Sequence, residues 1–320
     1  MSEPDRPDPR ECWDLVVVGA GAAGLTAACA AAAAGCSVLL LEQAGVVGGT
    51  SAISGGMVWL PANGKTAVAG RPDSIEAARS YLGQTVPGAH RDRLEAFLSK
   101  ADEVLREIEA RTSVRFQPVM NYPDYYPDLP GATAGGRVLE PVPFDARLLG
   151  PAFALVRDPL PEFMLFGGMM ISRQDMPHLR NAARSLRSAA RTARLLLGYA
   201  AQRLRARRGT TLYLGNALVA RLLKSALDLG VKIRTGAEVS ELATDAQGRV
   251  AILAVSDASG AYRVAAKRGV VLASGGLSRD VELRSRFVPG SAGDLTATVV
   301  SGNARCGARL ASSVGATLSD

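Results

Sequence analysis

Gly19, Gly21 and Gly24 stand in the run Gly-Ala-Gly-Ala-Ala-Gly, and an acid, Glu42, follows downstream. Glycines at this spacing let a diphosphate lie against the main chain. Gly19 permits a tight strand-to-helix turn, Gly21 bares the backbone to the pyrophosphate, and Gly24 lets a helix pack closely on a sheet. Ala22 and Ala23 belong to the same phosphate-facing turn. A helix opening here offers unpaired N–H groups and a partial positive charge to an anion. Glu42, with Gln43 beside it, is placed to accept hydrogen bonds from ribose hydroxyls.

Such groups work only if a strand, a helix and a second strand hold them. Trp13 to Val18 reads as a short, β-branched buried strand that ends at Gly19. Leu25 to Ala34 is alanine-rich and helical, and Gly35 stops it. Ser37 to Leu41 is the second strand, with Glu42 at its end. A lone Gly-x-Gly-x-x-Gly is weak, but here strand, loop, helix, strand and acid fall in register. The uncharged run Leu15–Leu41 is therefore no membrane span. Glycines interrupt it, and alanine fills its middle.

The motif alone suits either FAD or NAD. The next segment separates them. Gly48-Gly49-Thr50-Ser51-Ala52-Ile53-Ser54-Gly55-Gly56 is a glycine- and hydroxyl-rich loop that can run along a pyrophosphate and reach an isoalloxazine ring. It continues into the ordered, apolar Met57-Val58-Trp59-Leu60-Pro61. The expected cofactor contacts are thus Gly19, Gly21, Ala22, Ala23, Gly24, Glu42, Gln43, Gly49, Thr50, Ser51, Ser54, Gly55 and Gly56.

Together, GAGAAG, LLLEQ and GGTSAISGGMVWLP resemble the FAD-binding family of fumarate reductase flavoproteins and 3-ketosteroid Δ1-dehydrogenases. The third segment is most similar to the ketosteroid branch. In the succinate dehydrogenase branch a histidine of this loop carries flavin covalently. Residues 48–63 contain none, so the resemblance implies non-covalent FAD. It also implies a role for Pro123-Asp124-Tyr125-Tyr126: the first tyrosine of this pair lies in the family's active site and supports a catalytic tyrosine base. Read without the resemblance, these tyrosines suit plain surface packing. Gly136 to Asp145 is similar to the same branch. Beyond GVKIRTGAEV the family contacts adenine through backbone groups, which points to Val239. Gly269 to Gly276 resembles the family's second FAD-contacting strand and adds Ala273, Ser274 and Gly275, with Ser274 in place of a common threonine.

The implied fold is α/β: a Rossmann-like FAD-binding domain over 13–320 with a parallel sheet, flanking helices and a small β-rich insertion, behind a polar tail at 1–12. The family's substrate-capping domain and returning C-terminal FAD segment would lie beyond Asp320. One departure is Asn303-Ala304-Arg305-Cys306-Gly307, where the family usually has a Thr-Gly-Asp-Gly-like turn. The implied activity is desaturation beside a ketone, with a steroid-like ketone as substrate and an undefined electron acceptor. The alternatives are a fumarate reductase-type alkene reductase and an inert flavin-binding fragment.

Elsewhere, Ser74–Leu82, Arg91–Arg111 and Leu218–Leu229 read as helices. Residues 231–234, 238–242, 250–255 and 262–266 read as strands, and 116–127 as an ordered proline-rich loop. At 48% hydrophobic and 21% charged residues, the composition is that of a soluble globular protein. Aromatics at 5%, with abundant Ala and Gly, suit close packing around a cofactor rather than a large aromatic core. Cys12, Cys29, Cys36 and Cys306 form no Cys-x-x-Cys pair, and the histidines are His90 and His178, so no metal site is expected. Dispersed cysteines and a polar N-terminus without an apolar leader point to the cytoplasm. The net charge of +7 owes much to Arg173–Arg208. Without stacking aromatics or a nucleic-acid motif this basic stretch does not indicate nucleic acid. Within 179–208, Arg180, Arg184, Arg187, Arg191 and Arg194 share one helical stripe. That helix is either a solvated cover or a peripheral contact with anionic lipid.

Overall fold

The computed structural model describes residues 11–86, 91–287, 300 and 307–317. The chain opens with strand β1 (Glu11–Val18), helix α1 (Ala22–Ala33), and strands β2 (Val38–Glu42) and β3 (Val58–Trp59). Helices α2 (Gly64–Val68), α3 (Ile75–Thr85) and α4 (Arg91–Arg111) follow. Strands β4 (Phe116–Pro118), β5 (Val138–Pro141) and β6 (Phe144–Asp145) precede α5 (Met176–Arg180) and α6 (Leu186–Arg203). Next come β7 (Thr211–Leu212), α7 (Leu214–Asp228), β8 (Lys232–Thr235), β9 (Glu238–Thr244), β10 (Val250–Asp257) and β11 (Gly260–Leu272). Helices α8 (Val281–Phe287) and α9 (Gly307–Ser313) end the described chain.

Two compact units divide these elements. The first comprises residues 1–53, 146–159 and 219–320, the second 54–145 and 160–218. In the first unit, six strands among the described residues form one sheet in the order β8-β2-β1-β11-β10-β9. β1 pairs in parallel with β2 and β11, and β2 pairs in parallel with β8. All five residues of β2 are buried, as a central parallel strand requires. Val16, Val18, Leu39, Leu41, Leu253, Val255 and Val264 pack into one core beside this sheet. At about 2 kcal/mol for each fully buried aliphatic side chain, they make the sheet a firm base for the loops at its strand ends.

The β-rich insertion is β9 and β10, which continue the same sheet with antiparallel pairing. The pieces expected at 262–266 and from 269 are one strand, β11. Its register against β1 shifts between the Trp13–Ala266 and Leu15–Gly269 pairs, so Lys267 and Arg268 form a bulge. That bulge is the break in the sequence pattern. α1 starts at Ala22, and its last turn is closed by Gly35 N–H to Ala32 O (2.9 Å) and Cys36 N–H to Ala31 O (3.1 Å), a Schellman closure. Glu11 and Cys12, expected in the polar tail, belong to β1.

The second unit holds a three-stranded sheet, β3-β5-β4, and a two-stranded one, β6-β7. Phe116–Pro118, expected in a loop, pairs with β5 as an edge strand, where proline's missing donor is tolerated. The single helix expected over 179–208 is broken in two. Asn181 Nδ2 donates to Pro177 O (3.0 Å) where α5 ends, and the Ser185 hydroxyl accepts from Ser188 N–H at the start of α6. Two cap-forming residues thus override the helical periodicity.

Candidate functional site

The three motif glycines do different work. Gly19, at φ +103°, ends β1, and a Cβ on it would stand 2.5 Å from Ala273 O. A Cβ on Gly24 would stand 1.8 Å from Gly19 O. Both are glycine because the chain itself leaves no room. Gly21 has φ −74° and ψ −176°, which any residue adopts, and a Cβ there would meet only the Ser51 hydroxyl, at 3.7 Å. The fold itself does not require a glycine here. Gly21 caps α1, whose first turn carries no acid to compete for an anion. The Ser51 hydroxyl accepts the Ala22 N–H (3.1 Å), tying the 48–56 loop to the helix start.

Glu42 is buried at the end of β2. One carboxylate oxygen accepts the Ala20 N–H (2.8 Å) and the other the Ala44 N–H (2.9 Å). The acid therefore braces the glycine turn, and each oxygen keeps a further lone pair for a ligand hydroxyl.

These groups open onto a cleft of about 610 Å³ within the first unit. It is lined by Gly19, Gly21, Ala22, Ala23, Glu42, Gln43, Gly49, Thr50, Ser51, Val239, Ala273, Ser274 and Gly275, all expected from the sequence. Gly24 stands behind the turn, against Gly19. Ser54, Gly55 and Gly56 belong to the second unit. Sequence reasoning missed Arg157, Ala237, Glu238 and Ser278. Arg157 is the cation on the cleft wall, brought there because its N–H donates to Val47 O (3.0 Å) and Val156 bridges Val47. No local pattern marks that return of the chain.

The lining fits a dinucleotide. A bare turn at a helix start faces the same space as one cation and one braced carboxylate. The Ser274 hydroxyl is buried with no hydrogen-bond partner among the described residues, a vacancy a bound polar group can fill. Gly307, at the edge of the departing Asn303–Gly307 turn, would bring a Cβ to 2.8 Å from that hydroxyl. The other residues of that turn lie outside the described residues, as do His90 and Cys306.

Two lining segments, those of Ser278 and Leu310, are pinned by one ion pair. Arg309 grips buried Asp280 through Nε (2.6 Å) and Nη2 (2.8 Å), and Leu283 N–H adds a third donor (3.1 Å). The Arg309 hydrogen bonds, against the opposing pull of desolvation, bring the Asp280 carboxyl down from 3.8 to about 2. A carboxyl whose folded value is depressed stabilises the fold fully above its unfolded value and loses that contribution as pH falls through the folded one. Asp280→Asn is therefore expected to lower the thermal unfolding midpoint at neutral pH. The gap to wild type should close as pH falls from 3.8 toward about 2. A gap that does not change with pH would show that the carboxylate charge is not what stabilises.

In the second unit, Tyr125 projects into solvent at 84% exposure, next to buried Asp124. Asp124 accepts from Trp59 Nε1 (2.7 Å), Thr133 N–H (2.9 Å) and Arg137 Nη1 (2.9 Å). Arg137, only 1% exposed, also grips Asp73 with two hydrogen bonds of 2.8 Å. Burial pushes the Asp73 carboxyl up, but its hydrogen bonds and the Arg137 charge outweigh this and hold it below the usual value. Trp59 stacks with Phe97, and the Arg137 guanidinium lies over the Trp59 and Tyr81 rings. The sequence singled out Tyr125 but not the clamp behind it.

The model of a family described as "FAD binding domain" matches residues 14–320. The 4-oxocyclohex-2-ene-1-carboxylate 5-dehydrogenase of Sinomonas cyclohexanicum is 36% identical over 96% of this chain and 52% of its own length. The 3-oxosteroid 1-dehydrogenase of Comamonas testosteroni is 35% identical over 86% of this chain and 48% of its own. The chain thus spans about half the length of these relatives. The solved 3-ketosteroid Δ1-dehydrogenase of Sterolibacterium denitrificans, in complex with 1,4-androstadiene-3,17-dione, matches with a TM-score of 0.85 at 32% identity. The match covers 96% of this chain and 55% of that one. Because the family model spans nearly the whole chain, the chain belongs to the FAD binding domain family, and FAD is its cofactor.

Proposed function

We propose that the chain is the FAD-holding part of an oxidoreductase that desaturates a ring ketone at the carbons next to the carbonyl. The observation that carries this reading is the pair of relatives at 36% and 35% identity. One is named for a 3-oxosteroid and the other for an oxocyclohexene carboxylate, and both names place the reaction in a ring that bears a ketone.

Bound FAD supplies the hydride acceptor. The chain's own residues hold and orient it. Gly21 leaves the backbone open to the pyrophosphate, and the start of α1 and Arg157 offer it positive charge. Glu42 accepts from the ribose hydroxyls with the lone pairs that Ala20 and Ala44 leave free, and Val239 meets the adenine through its backbone. Ser54, Gly55 and Gly56 carry the loop onward toward the flavin ring. No histidine stands in 48–63, so the flavin is held without a covalent bond. Tyr125 supports the base that removes the acidic proton α to the carbonyl, and donors on the carbonyl oxygen stabilise the charge that develops there.

The test is reduction of an artificial acceptor dye by the FAD-loaded protein, offered a 3-oxosteroid or an oxocyclohexene carboxylate. It is run on the chain alone and with the C-terminal portion of a relative joined to it. Dye reduction with either ketone is expected in the joined form, and Tyr125→Phe should slow it about tenfold, the effect of one lost hydrogen bond. Dye reduction with neither ketone, or oxidation of reduced dye by fumarate instead, would overturn the reading.

A further inference from the structure

Helix α6 carries an apolar stripe on its exposed side as well as apolar residues on its packed side. Its packed side is mixed: Ala189, Leu195, Leu196 and Tyr199 are half-buried there beside polar residues. Ser188 is buried, the Thr192 hydroxyl donates to His178 O (3.2 Å), and Gln202 Nε2 donates to Thr211 Oγ1 (3.0 Å). Its outward side is apolar. Leu186, Leu197 and Leu204 are 91%, 72% and 86% exposed, and exposed Ala190, Ala193 and Ala201 lie between them at helical spacing. A helix packed on a soluble core puts such a stripe inward.

Arginines border the stripe. Residues 164–208 contain ten arginines, no lysine and one acid, Asp175. Asp175 is buried and committed to Arg191 (2.8 Å) and Ser172 (2.7 Å). Among the described residues no carboxylate pairs with exposed Arg180, Arg184, Arg187 or Arg194. Arg173, Arg180, Arg184 and Asn181 line an open basin of about 680 Å³. Guanidinium groups bind phosphate through paired hydrogen bonds, which ammonium groups do not.

A third feature joins these two. Phe166 is 70% exposed on a backbone with φ +49°, a conformation an aromatic residue seldom adopts. The Tyr199 hydroxyl of α6 donates to its carbonyl (3.0 Å), so the helix itself holds this strained, outward-pointing tip.

We propose that this face docks on an anionic phospholipid membrane. α6 lies in the plane of the interface, its leucines and Phe166 reach the acyl boundary, and the arginines bind lipid phosphates. It rests on the surface rather than crossing, since no helix among the described residues is long and apolar enough to cross a membrane. Two other occupants fit less well. Nucleic acid would use the arginines but not the leucines. A second copy docked on the same face would use the leucines but bring two arginine sets together. This surface stands independently of the flavin reading.

The test is flotation of the purified chain with vesicles of phosphatidylcholine alone and of phosphatidylcholine mixed with phosphatidylglycerol. Expected is flotation with the mixed vesicles, little with the neutral ones, and release by raised salt. L186E/L197E/L204E should lower partitioning at least about tenfold. R187Q/R194Q should lower it about fivefold per arginine. These residues are exposed, so circular dichroism should be unchanged in both variants. Equal partitioning on both vesicle types, or on neither, overturns the proposal. So does a dimer by light scattering that the leucine variant turns into monomer.

Discussion

Gly21→Val should leave a folded chain that purifies without flavin. The backbone at Gly21 is extended, at φ −74° and ψ −176°, which suits a β-branched residue, and the first side-chain atom would meet nothing nearer than the Ser51 hydroxyl at 3.7 Å. The added atoms then occupy the space in front of the helix start, where the proposed pyrophosphate site lies. Loss of that approach should weaken FAD by about a hundredfold or more, close to 3 kcal/mol. Gly19→Ala is the contrasting variant: its Cβ would stand 2.5 Å from Ala273 O on a backbone at φ +103°, so it should damage the fold itself. The measurement is circular dichroism of each variant, followed by acid precipitation after reconstitution with FAD. Wild type should release its flavin into the supernatant, because the 48–63 loop has no histidine to hold it. Gly21→Val should release almost none, with an unchanged dichroism spectrum. A variant that holds as much flavin as wild type would falsify the placement of Gly21 at the phosphates.

The cofactor turn was legible in the sequence because it is local. Strand, glycines, helix, strand and Glu42 occupy one uninterrupted stretch, and each residue type has a reason to stand where it does. What was not legible depends on distant partners. Arg157 reaches the cleft only because Val47 and Val156 bridge, and nothing around either residue announces the pairing. The bulge at Lys267 and Arg268 made one strand read as two, since the pattern records the irregularity but not the neighbour that absorbs it. In α6 the arginine stripe was visible, but its meaning was not. Periodicity shows that one side of a helix is apolar, and only packing shows which way that side faces. Arg137 was read as part of a family-like segment, while its partners Asp73 and Asp124 are set by tertiary structure.

Arg137→Met is expected to destabilise the second unit by about 3–5 kcal/mol, the usual consequence of removing one partner from a buried ion pair. Arg137 holds two carboxylates at once, with Asp73 taken by Nε and Nη2 and Asp124 by Nη1, and all three side chains are almost wholly buried. Methionine fills much of the volume but leaves two buried acids without their cation. Donors remain for each, Ala62 N–H for Asp73 and Trp59 Nε1 and Thr133 N–H for Asp124, so the acids keep hydrogen bonds but lose the neutralising charge. The sign of the pH dependence follows. In wild type the Asp73 carboxyl is held below its usual value, so its contribution is present at neutral pH and lost as pH falls through that depressed value. In the variant protonation relieves Asp73, so the difference from wild type should shrink in acid. Arg137→Lys keeps the charge but not the planar fork, and should cost less, about 2 kcal/mol. Urea unfolding followed by Trp59 fluorescence reads the loss directly, because Trp59 donates to Asp124 and lies under the guanidinium. Tyr125 follows Asp124 directly in the chain. The same variant should therefore loosen the loop that presents this tyrosine, and its peptide bonds should become the first sites cut in limited proteolysis. A midpoint shift equivalent to less than about 1 kcal/mol, or one that does not vary with pH, would mean that the two acids do not depend on Arg137.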